Sequence, residues 1–494
     1  MTDQGSKTGL FLVGITLFAL ALHIVFLLAF DNVFSLEGES YSKINLVQAW
    51  IAEGKGYPDV NFGPLHTWII YLLHLIFSQW IWPIRIFGVI CGTLSVPLFY
   101  LLVREEFGHR AAVFSSLMFA VFPLRLRATP TGLTEVPYLL FFLAGLYAFV
   151  LVKNAPHPRW GALVGTAAGL TLAGMLRFEA WLYLPILCLI LVRRRFWMAV
   201  VFGLLCAIFP LVHMSFCYRA TGAPFSFFQT AASAAMQYMP MLPMGEKASG
   251  LVLSFWNGMG PPAAVLAVLG ILLSLNHSRY WTFFALLFFP LALLQYKAMT
   301  NTFDPSLERY FIGMAALAYP YAALALIRIG TWAVRRRETV SSVPIIAVIL
   351  IMFVQTELAW GQALDNSLPD DVRAMVQWLK KNATPADRIL PDQRLHPYVL
   401  LESGLPYKSF LNLEWISNPR VLNEKAYDRM LAQSPPTMMI FDYSLAEDPD
   451  NMVRSNLDVF KIRFAAPEAD LRGLHFQRIY LHGNFVIYRT RKAP

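Results

Sequence analysis

The sequence predicts a polytopic α-helical membrane protein with juxtamembrane helices in its first outer loop and a small α/β domain after the last span. Three observations carry that expectation. Of 494 residues, 57% are hydrophobic and only 14% charged, against about 25% charged in ordinary globular domains. The mean hydropathy is +0.50, which leaves too little polar surface to solvate a water-facing globule. Apolar runs of bilayer length recur from Phe11 to Trp360 and then cease, dividing the chain into a transmembrane domain over 1–361 and an extracytoplasmic α/β domain over 362–494.

With a span length of about 17 to 25 residues, apolar helices are expected near 9–30, 84–103, 111–124, 136–152, 161–176, 180–192, 197–218, 251–274, 281–296, 310–328 and 343–360, about eleven in all. No small-residue cleavage site follows the first run, so it reads as a retained span. Arg193-Arg194-Arg195 and Arg335-Arg336-Arg337 sit at the ends of apolar runs, where retention on the cytoplasmic side explains them. Placing those triplets inside makes the loops at 104–110, 153–159, 193–195, 276–279 and 328–337 cytoplasmic. The segments 31–83, 125–135, 177–179, 219–250 and 297–309, with the chain beyond Gln362, then face out.

Within the first outer loop, Ile44, Val47 and Ile51 recur at helical spacing between Ser40 and Gly54, giving an amphipathic helix with a glycine stop. The apolar run Pro64 to Phe77 is too short to cross and reads as an interfacial or re-entrant helix. Beyond Pro369, Val372, Met375, Val376 and Leu379 mark a helix. Met438 to Phe441 reads as a buried strand, and Arg478–Leu481 with Phe485–Tyr488 around His482-Gly483-Asn484 as a hairpin.

Composition also excludes functions. The net charge of +9 comes without a basic stripe interleaved with aromatics, so nucleic acid is not an expected partner. The four cysteines lie in or beside apolar runs and suggest neither a disulfide framework nor a thiolate metal site. Neither a glycine-rich nucleotide cradle nor a nucleophile elbow is present.

Candidate chemistry gathers at the outer ends of the runs. Glu37 and Glu39 sit where the first span meets the outer surface; they read either as solvated loop acids or as a general base held against an apolar wall. Glu135 follows Thr134 at the mouth of the fourth span, where it reads as a first-turn acid suited to the helix dipole or as a site carboxylate. Arg125, Arg127, Arg177 and Arg309 run against the positive-inside bias. They either pair locally, Arg177 with Glu179 and Arg309 with Glu308, or clamp a phosphate through bidentate guanidinium donors. A phosphate attached to a lipid needs such a clamp, because its tail stays in hydrocarbon while its charge sits at the surface. His66, His74 and His213 show no metal-ligand spacing.

On these residues the chain resembles the GT-C superfamily of polytopic glycosyltransferases, in the branch of protein O-mannosyltransferases and the aminoarabinose transferases of lipid A. Glu37-Gly38-Glu39-Ser40-Tyr41 resembles the first-loop acidic motif with its tyrosine, and Gly63-Pro64-Leu65 the start of the next helix. Ile84-Arg85-Ile86-Phe87-Gly88, Thr134-Glu135-Val136-Pro137, Arg177-Phe178-Glu179-Ala180-Trp181, Gly222-Ala223-Pro224-Phe225-Ser226-Phe227 and Glu308-Arg309-Tyr310-Phe311 follow in the family's order. The family places Asp and Glu side by side, whereas here a glycine separates two glutamates. Counting back from Tyr41, Glu37 takes the catalytic position, with Glu39 orienting, or the two exchange roles.

The resemblance implies an inverting transfer from a polyprenyl-phosphate sugar to a hydroxyl on a protein, lipid or glycan at the extracytoplasmic face of a bacterial or archaeal plasma membrane. It further implies that Glu37 removes the acceptor proton while Arg309, with Arg177 or Arg125, stabilises the departing phosphate, Arg127 being a further donor-phosphate candidate. Tyr41, His66 and Tyr310 would position substrate, and Glu135 would position sugar, acceptor or a divalent ion, the one cofactor left open. The rival class is a transporter or lipid flippase, for which inverted repeats and ionisable residues at mid-span depth are expected; the sequence has neither.

Overall fold

A computed structural model describes residues 2–31, 38–54, 63–227, 243–300, 308–334, 347–356, 358, 370–391, 401–411, 432–442, 466–471 and 474–490. The chain forms two compact units, one of residues 1–36 and 58–365 and the other of residues 37–57 and 366–494.

The larger unit is helical. Its elements are α1 (Thr2–Asp31), α3 (Pro64–Phe77), α4 (Ile81–Phe107), α5 (His109–Ala120), α6 (Pro123–Ala128), α7 (Glu135–Asn154), α8 (Trp160–Leu176), α9 (Leu184–Val192), α10 (Phe196–Thr221), α11 (Met244–Met259), α12 (Pro261–Ser274), α13 (Trp281–Met299), α14 (Ile312–Val334) and α15 (Ala347–Thr356), where α2 is reserved for a helix of the smaller unit. Helices dominate because lipid offers the backbone no hydrogen-bond partners, so a spanning segment must satisfy its own N–H and C=O groups. α14 forms the centre: 83% of its apolar window is buried, against 28% for α1 and for α10, whose outward residues Leu204, Ile208 and Leu211 suit a lipid boundary.

The expected eleven spans are not all realised at spanning length. Among the described residues six helices are long and apolar enough to cross, or seven if one bent pair counts as a span. That pair corrects the expected span 251–274: α11 and α12 meet at 108°. Gly260 there adopts a φ of +86°, open to glycine without strain, and Pro261-Pro262 start the next helix because they lack the N–H a continuing helix needs. The expected span 111–124 likewise divides, α5 ending at Ala120 and α6 starting at Pro123. α8, α15 and the short helical stretch Phe178–Val192 are apolar but shorter than 18 residues.

Small residues let helices touch. A Cβ on Gly169 would lie 2.6 Å from the Gly145 backbone nitrogen, so α7 and α8 meet backbone to backbone, the packing that drives helix association where no hydrophobic effect operates. At one end of the bundle, polar bonds do the joining. Lys153 Nζ donates to Glu106 at 2.5 Å and Asn154 Nδ2 to the same carboxylate at 2.8 Å. Arg194 donates to the Lys153 carbonyl at 2.7 Å, Arg195 to that of Ala155 at 2.6 Å and Arg279 to that of Glu105 at 3.3 Å. Four loops that charge alone groups on one side of the membrane thus meet at one end.

The smaller unit holds α2 (Gly38–Glu53), stopped by Gly54 with φ +68° as its sequence predicts, and α16 (Asp370–Asn382). Its sheet comprises β1 (Ile389–Pro391), β2 (Met438–Asp442), β3 (Glu468–Leu471), β4 (Leu474–His482) and β5 (Phe485–Thr490) in the order β1-β2-β5-β4-β3. Among the described strands β1 and β2 pair parallel and the other pairs are antiparallel, and the expected hairpin forms with His482 opposite Phe485. Val372, Met375, Val376 and Leu379 of α16 pack on Met438, Ile440 and Ile487, one face of the sheet as strand alternation requires.

Gly169→Ala is expected to cost about 1–3 kcal/mol by forcing α7 and α8 apart, whereas Gly203→Ala, whose added carbon meets only the Cys188 sulfur at 3.7 Å, is expected to be near neutral. Thermal unfolding of the two variants in detergent checks the difference.

Candidate functional site

Glu135 occupies the first turn of α7 and is fully buried. An isolated ionised carboxylate at such a place is costly, and the end of α8 supplies its partner. After Leu176 the chain leaves the helix; Arg177 is extended, its N–H still bonded to the Ala173 carbonyl at 2.8 Å, and a 3₁₀ turn over Phe178–Tyr183 follows. From this corner the Arg177 guanidinium reaches two carboxylates, one amino group pairing with Glu135 and the other with Glu179 at 2.7 Å. The planar fork of arginine suits that double contact.

The turn Glu308–Phe311 ahead of α14 closes the cluster. Arg309 Nε lies 3.9 Å from the same Glu135 oxygen that Arg177 contacts. The Tyr310 ring faces both guanidinium carbons, 4.8 Å from Arg177 Cζ and 5.7 Å from Arg309 Cζ, a cation–π arrangement that fixes the two cations relative to each other. A Cβ on Gly313 would stand 2.9 Å from the Tyr138 hydroxyl and 3.5 Å from that of Tyr183. The glycine therefore lets α14, and Arg309 with it, settle onto these buried phenols.

Lys297, in the last turn of α13, lies within electrostatic reach of Glu179. Among the described residues, Arg177 and Arg309 thus meet Glu135, Arg177 also meets Glu179, and Lys297 lies near Glu179. Arg177 side chain is 8% exposed and that of Arg309 29%. Arg177 is the more deeply buried of the two guanidiniums and Arg309 the more exposed.

The structure therefore brings together Glu135, Arg177, Arg309 and Tyr310. His66 is buried on α3, whose start lies against the corner presenting Arg177: a Cβ on Gly63 would be 3.0 Å from the Leu176 carbonyl oxygen. Arg125, expected as a phosphate ligand, has its donors committed in the helix core. Its Nε bonds Phe119 O at 3.2 Å, Nη1 bonds Gly92 O at 2.7 Å and contacts His23 Nε2 at 3.0 Å, and Nη2 bonds Ala120 O at 2.6 Å. The reason is local: α5 ends at Ala120, and its last carbonyls need donors. Arg127 is half-buried on α6.

In the smaller unit, Glu39 lies on α2 and pairs with Lys43 one turn on at 2.6 Å. Glu37 lies outside the described residues, and Tyr41 is described only in its helical backbone. Sequence reasoning considered Glu179 only as a local partner of Arg177 and passed over Lys297, Tyr138 and Tyr183. Lys297 carries the same signal as the arginines, a cation at the end opposite the basic loops; the two tyrosines carry none, because only packing brings them beneath Gly313. Among the described residues no group of three or more His, Cys, Asp or Glu side chains comes together as metal ligands would.

Comparison with known structures shows which solved folds this chain is similar to. ArnT from Cupriavidus metallidurans bound to undecaprenyl phosphate superposes with a TM-score of 0.66 at 12% identity, covering 96% of this chain and 97% of that one. The archaeal oligosaccharyltransferase AglB from Archaeoglobus fulgidus, in complex with an inhibitory peptide and a dolichol-phosphate, superposes with a TM-score of 0.57 at 14% identity, covering 90% of this chain and 70% of that one. Residues 61–218 match the family model of dolichyl-phosphate-mannose-protein mannosyltransferases. A search of curated protein sequences finds no match.

Arg177→Leu leaves Glu135 buried without its principal partner and is expected to cost about 3–5 kcal/mol. Adding Glu135→Leu to that variant is expected to restore much of the loss, read as the thermal midpoints of the single and double variants.

Proposed function

We propose that the protein transfers a glycosyl group from a polyprenyl-phosphate-linked donor to a hydroxyl of a protein, lipid or glycan at the extracytoplasmic face, by inverting displacement. The observation that carries this reading is the pair of guanidiniums Arg177 and Arg309, held around Tyr310 and Glu135 at one end of an apolar bundle. An anion whose tail must stay in hydrocarbon suits such a place. Relatives of the same fold that hold undecaprenyl phosphate and dolichol-phosphate support the choice of a lipid-linked phosphate.

The acceptor oxygen attacks the anomeric carbon from the face opposite the phosphate. As the new C–O bond forms, the bond to the phosphate oxygen breaks, its electron pair leaves with the lipid phosphate, and Arg309 and Arg177 neutralise the charge that develops there. Phosphate departs without protonation, so a single base suffices, unlike the two carboxylates of glycoside hydrolysis. The motif assigns that base to Glu37, with Glu39, already fixed by Lys43, as the alternative. A transporter is disfavoured because the clustered charges sit at a helix end rather than along a mid-span path.

Glu37→Gln is expected to lower turnover by about 10²–10⁴-fold, the usual weight of a general base, while donor binding is retained. Arg309→Ala is expected to weaken binding of labelled polyprenyl-phosphate sugar by about tenfold or more, the scale of a lost charge-assisted hydrogen bond. Full turnover in the first variant, or unchanged affinity in the second, removes the corresponding role. A reporter fused after Gly330 is expected to read cytoplasm and one after Ser403 the outside; the opposite pattern would invert the proposed face.

A further inference from the structure

The end of the larger unit away from Arg309 holds cations that the proposed chemistry does not use. Its loops 104–110, 153–159, 193–195 and 276–279 contain eight lysine and arginine residues and two acids, Glu105 and Glu106. Glu106 is buried and taken by Lys153 at 2.5 Å and Asn154 at 2.8 Å, while Glu105 is exposed. Among the described residues no carboxylate pairs with Arg194, Arg195 or Arg279. Each instead holds a backbone carbonyl through one amino group, those of Lys153, Ala155 and Glu105 respectively. A carbonyl orients a guanidinium without cancelling its charge. Arg194 and Arg279, both exposed, also stand within electrostatic reach of Lys153, so like charges are fixed close together. Retaining a loop on one side of a membrane needs charge but no such fixing; an oriented array of guanidiniums with donors left open is what an anion completes.

What lies beside the array identifies the anion. Trp281 follows Arg279 by two positions, and the rings of Trp281, Phe284 and Phe288 run along α13 with successive centroids 5.6 and 4.3 Å apart. Trp281 is 55% exposed and Phe288 41%, so this file of rings lines an outward face. Next to it a crevice with about 180 Å³ of empty space opens between α12, α13 and α14, lined by Ser274, Leu275, Tyr280, Trp281, Phe284 and Tyr321. A soluble anion gains nothing from an apolar crevice and a column of rings. A phospholipid does, because its acyl chain needs an apolar wall where its headgroup meets guanidinium, and basic pockets between spanning helices suit net-anionic headgroups. We propose that Arg194 and Arg279 bind the headgroup phosphate of an anionic phospholipid whose acyl chain lies along Trp281, Phe284 and Phe288. The site is separate from the Arg177 and Arg309 cluster and does not rest on the donor reading.

The test reads lipid binding by native mass spectrometry of the purified full chain, comparing dioleoyl phosphatidylglycerol with dioleoyl phosphatidylcholine and adding no polyprenyl lipid. The parent is expected to bind phosphatidylglycerol about tenfold or more tightly, the scale of one charge-assisted hydrogen bond. Arg194→Gln combined with Arg279→Gln is expected to erase that preference. Trp281→Ala, which leaves every guanidinium in place, is expected to weaken the dioleoyl lipid severalfold while dihexanoyl phosphatidylglycerol, whose chains are too short to follow the rings, is unaffected. Arg309→Ala, at the opposite end, is expected to keep the preference.

A parent without the preference overturns the proposal, as does a preference that survives in the double variant. An equal loss in Arg309→Ala would make the effect one of overall charge and overturn it as well. Unchanged binding of the dioleoyl lipid to Trp281→Ala would deny the acyl path and sink the lipid assignment. Displacement of phosphatidylglycerol by equimolar glycerol 3-phosphate would mark the array as a site for soluble anions, with the same consequence. Should the double variant fail to fold, the Trp281→Ala comparison and the glycerol 3-phosphate competition still decide the matter.

Discussion

A carboxylate with no exposure to water, at the end of an apolar helix, sets the terms for one end of this protein. Burying Glu135 is costly unless a guanidinium stands against it, and Arg177 meets that need from the corner where α8 turns into a 3₁₀ segment. Because the same arginine also holds Glu179 at 2.7 Å, the corner is tied to its own continuation as well as to α7. The Tyr310 ring and Gly313 then bring α14 onto this frame. Buried ion pairs seldom add much net stability; what this one contributes is a fixed position for charge where lipid gives way to water.

The two ends of the bundle use charge differently. At the end formed by Glu106, Lys153, Arg194, Arg195 and Arg279, the cations are largely bonded to helix-terminal carbonyls and to one carboxylate. These contacts finish helix C-termini whose carbonyls would otherwise lack donors. At the other end guanidiniums meet carboxylates side chain to side chain, and Arg309 is partly exposed. Arg125 belongs to the first kind of use although it lies in sequence among the second: its donors go to the carbonyls of Phe119, Ala120 and Gly92.

Much of the fold was legible because lipid enforces it. Run length and arginine placement locate the helices and group the charged loops, since a spanning segment must be long, apolar and helical whatever its function. The breaks were less legible. Gly260 with two prolines after it marks a bend, yet the 108° turn between α11 and α12 depends on what each half packs against. The site was readable in part: arginines against the charge bias pointed to Arg177 and Arg309, whereas Tyr138 and Tyr183 resemble any other span residues until Gly313 lies over them.

By itself the sequence determined that this chain lives in a bilayer, that helices and a small mixed sheet share it, and that acids and arginines collect at helix ends, because composition and period are properties of the chain alone. Only the tertiary structure decided which of those residues meet. Glu135, Arg177 and Arg309 are separated by 42 and 132 positions along the chain, and nothing local in their segments selects one arginine as buried anchor, another as the more exposed and Arg125 as a staple. That division follows from which helix ends come together and how deeply each side chain is buried.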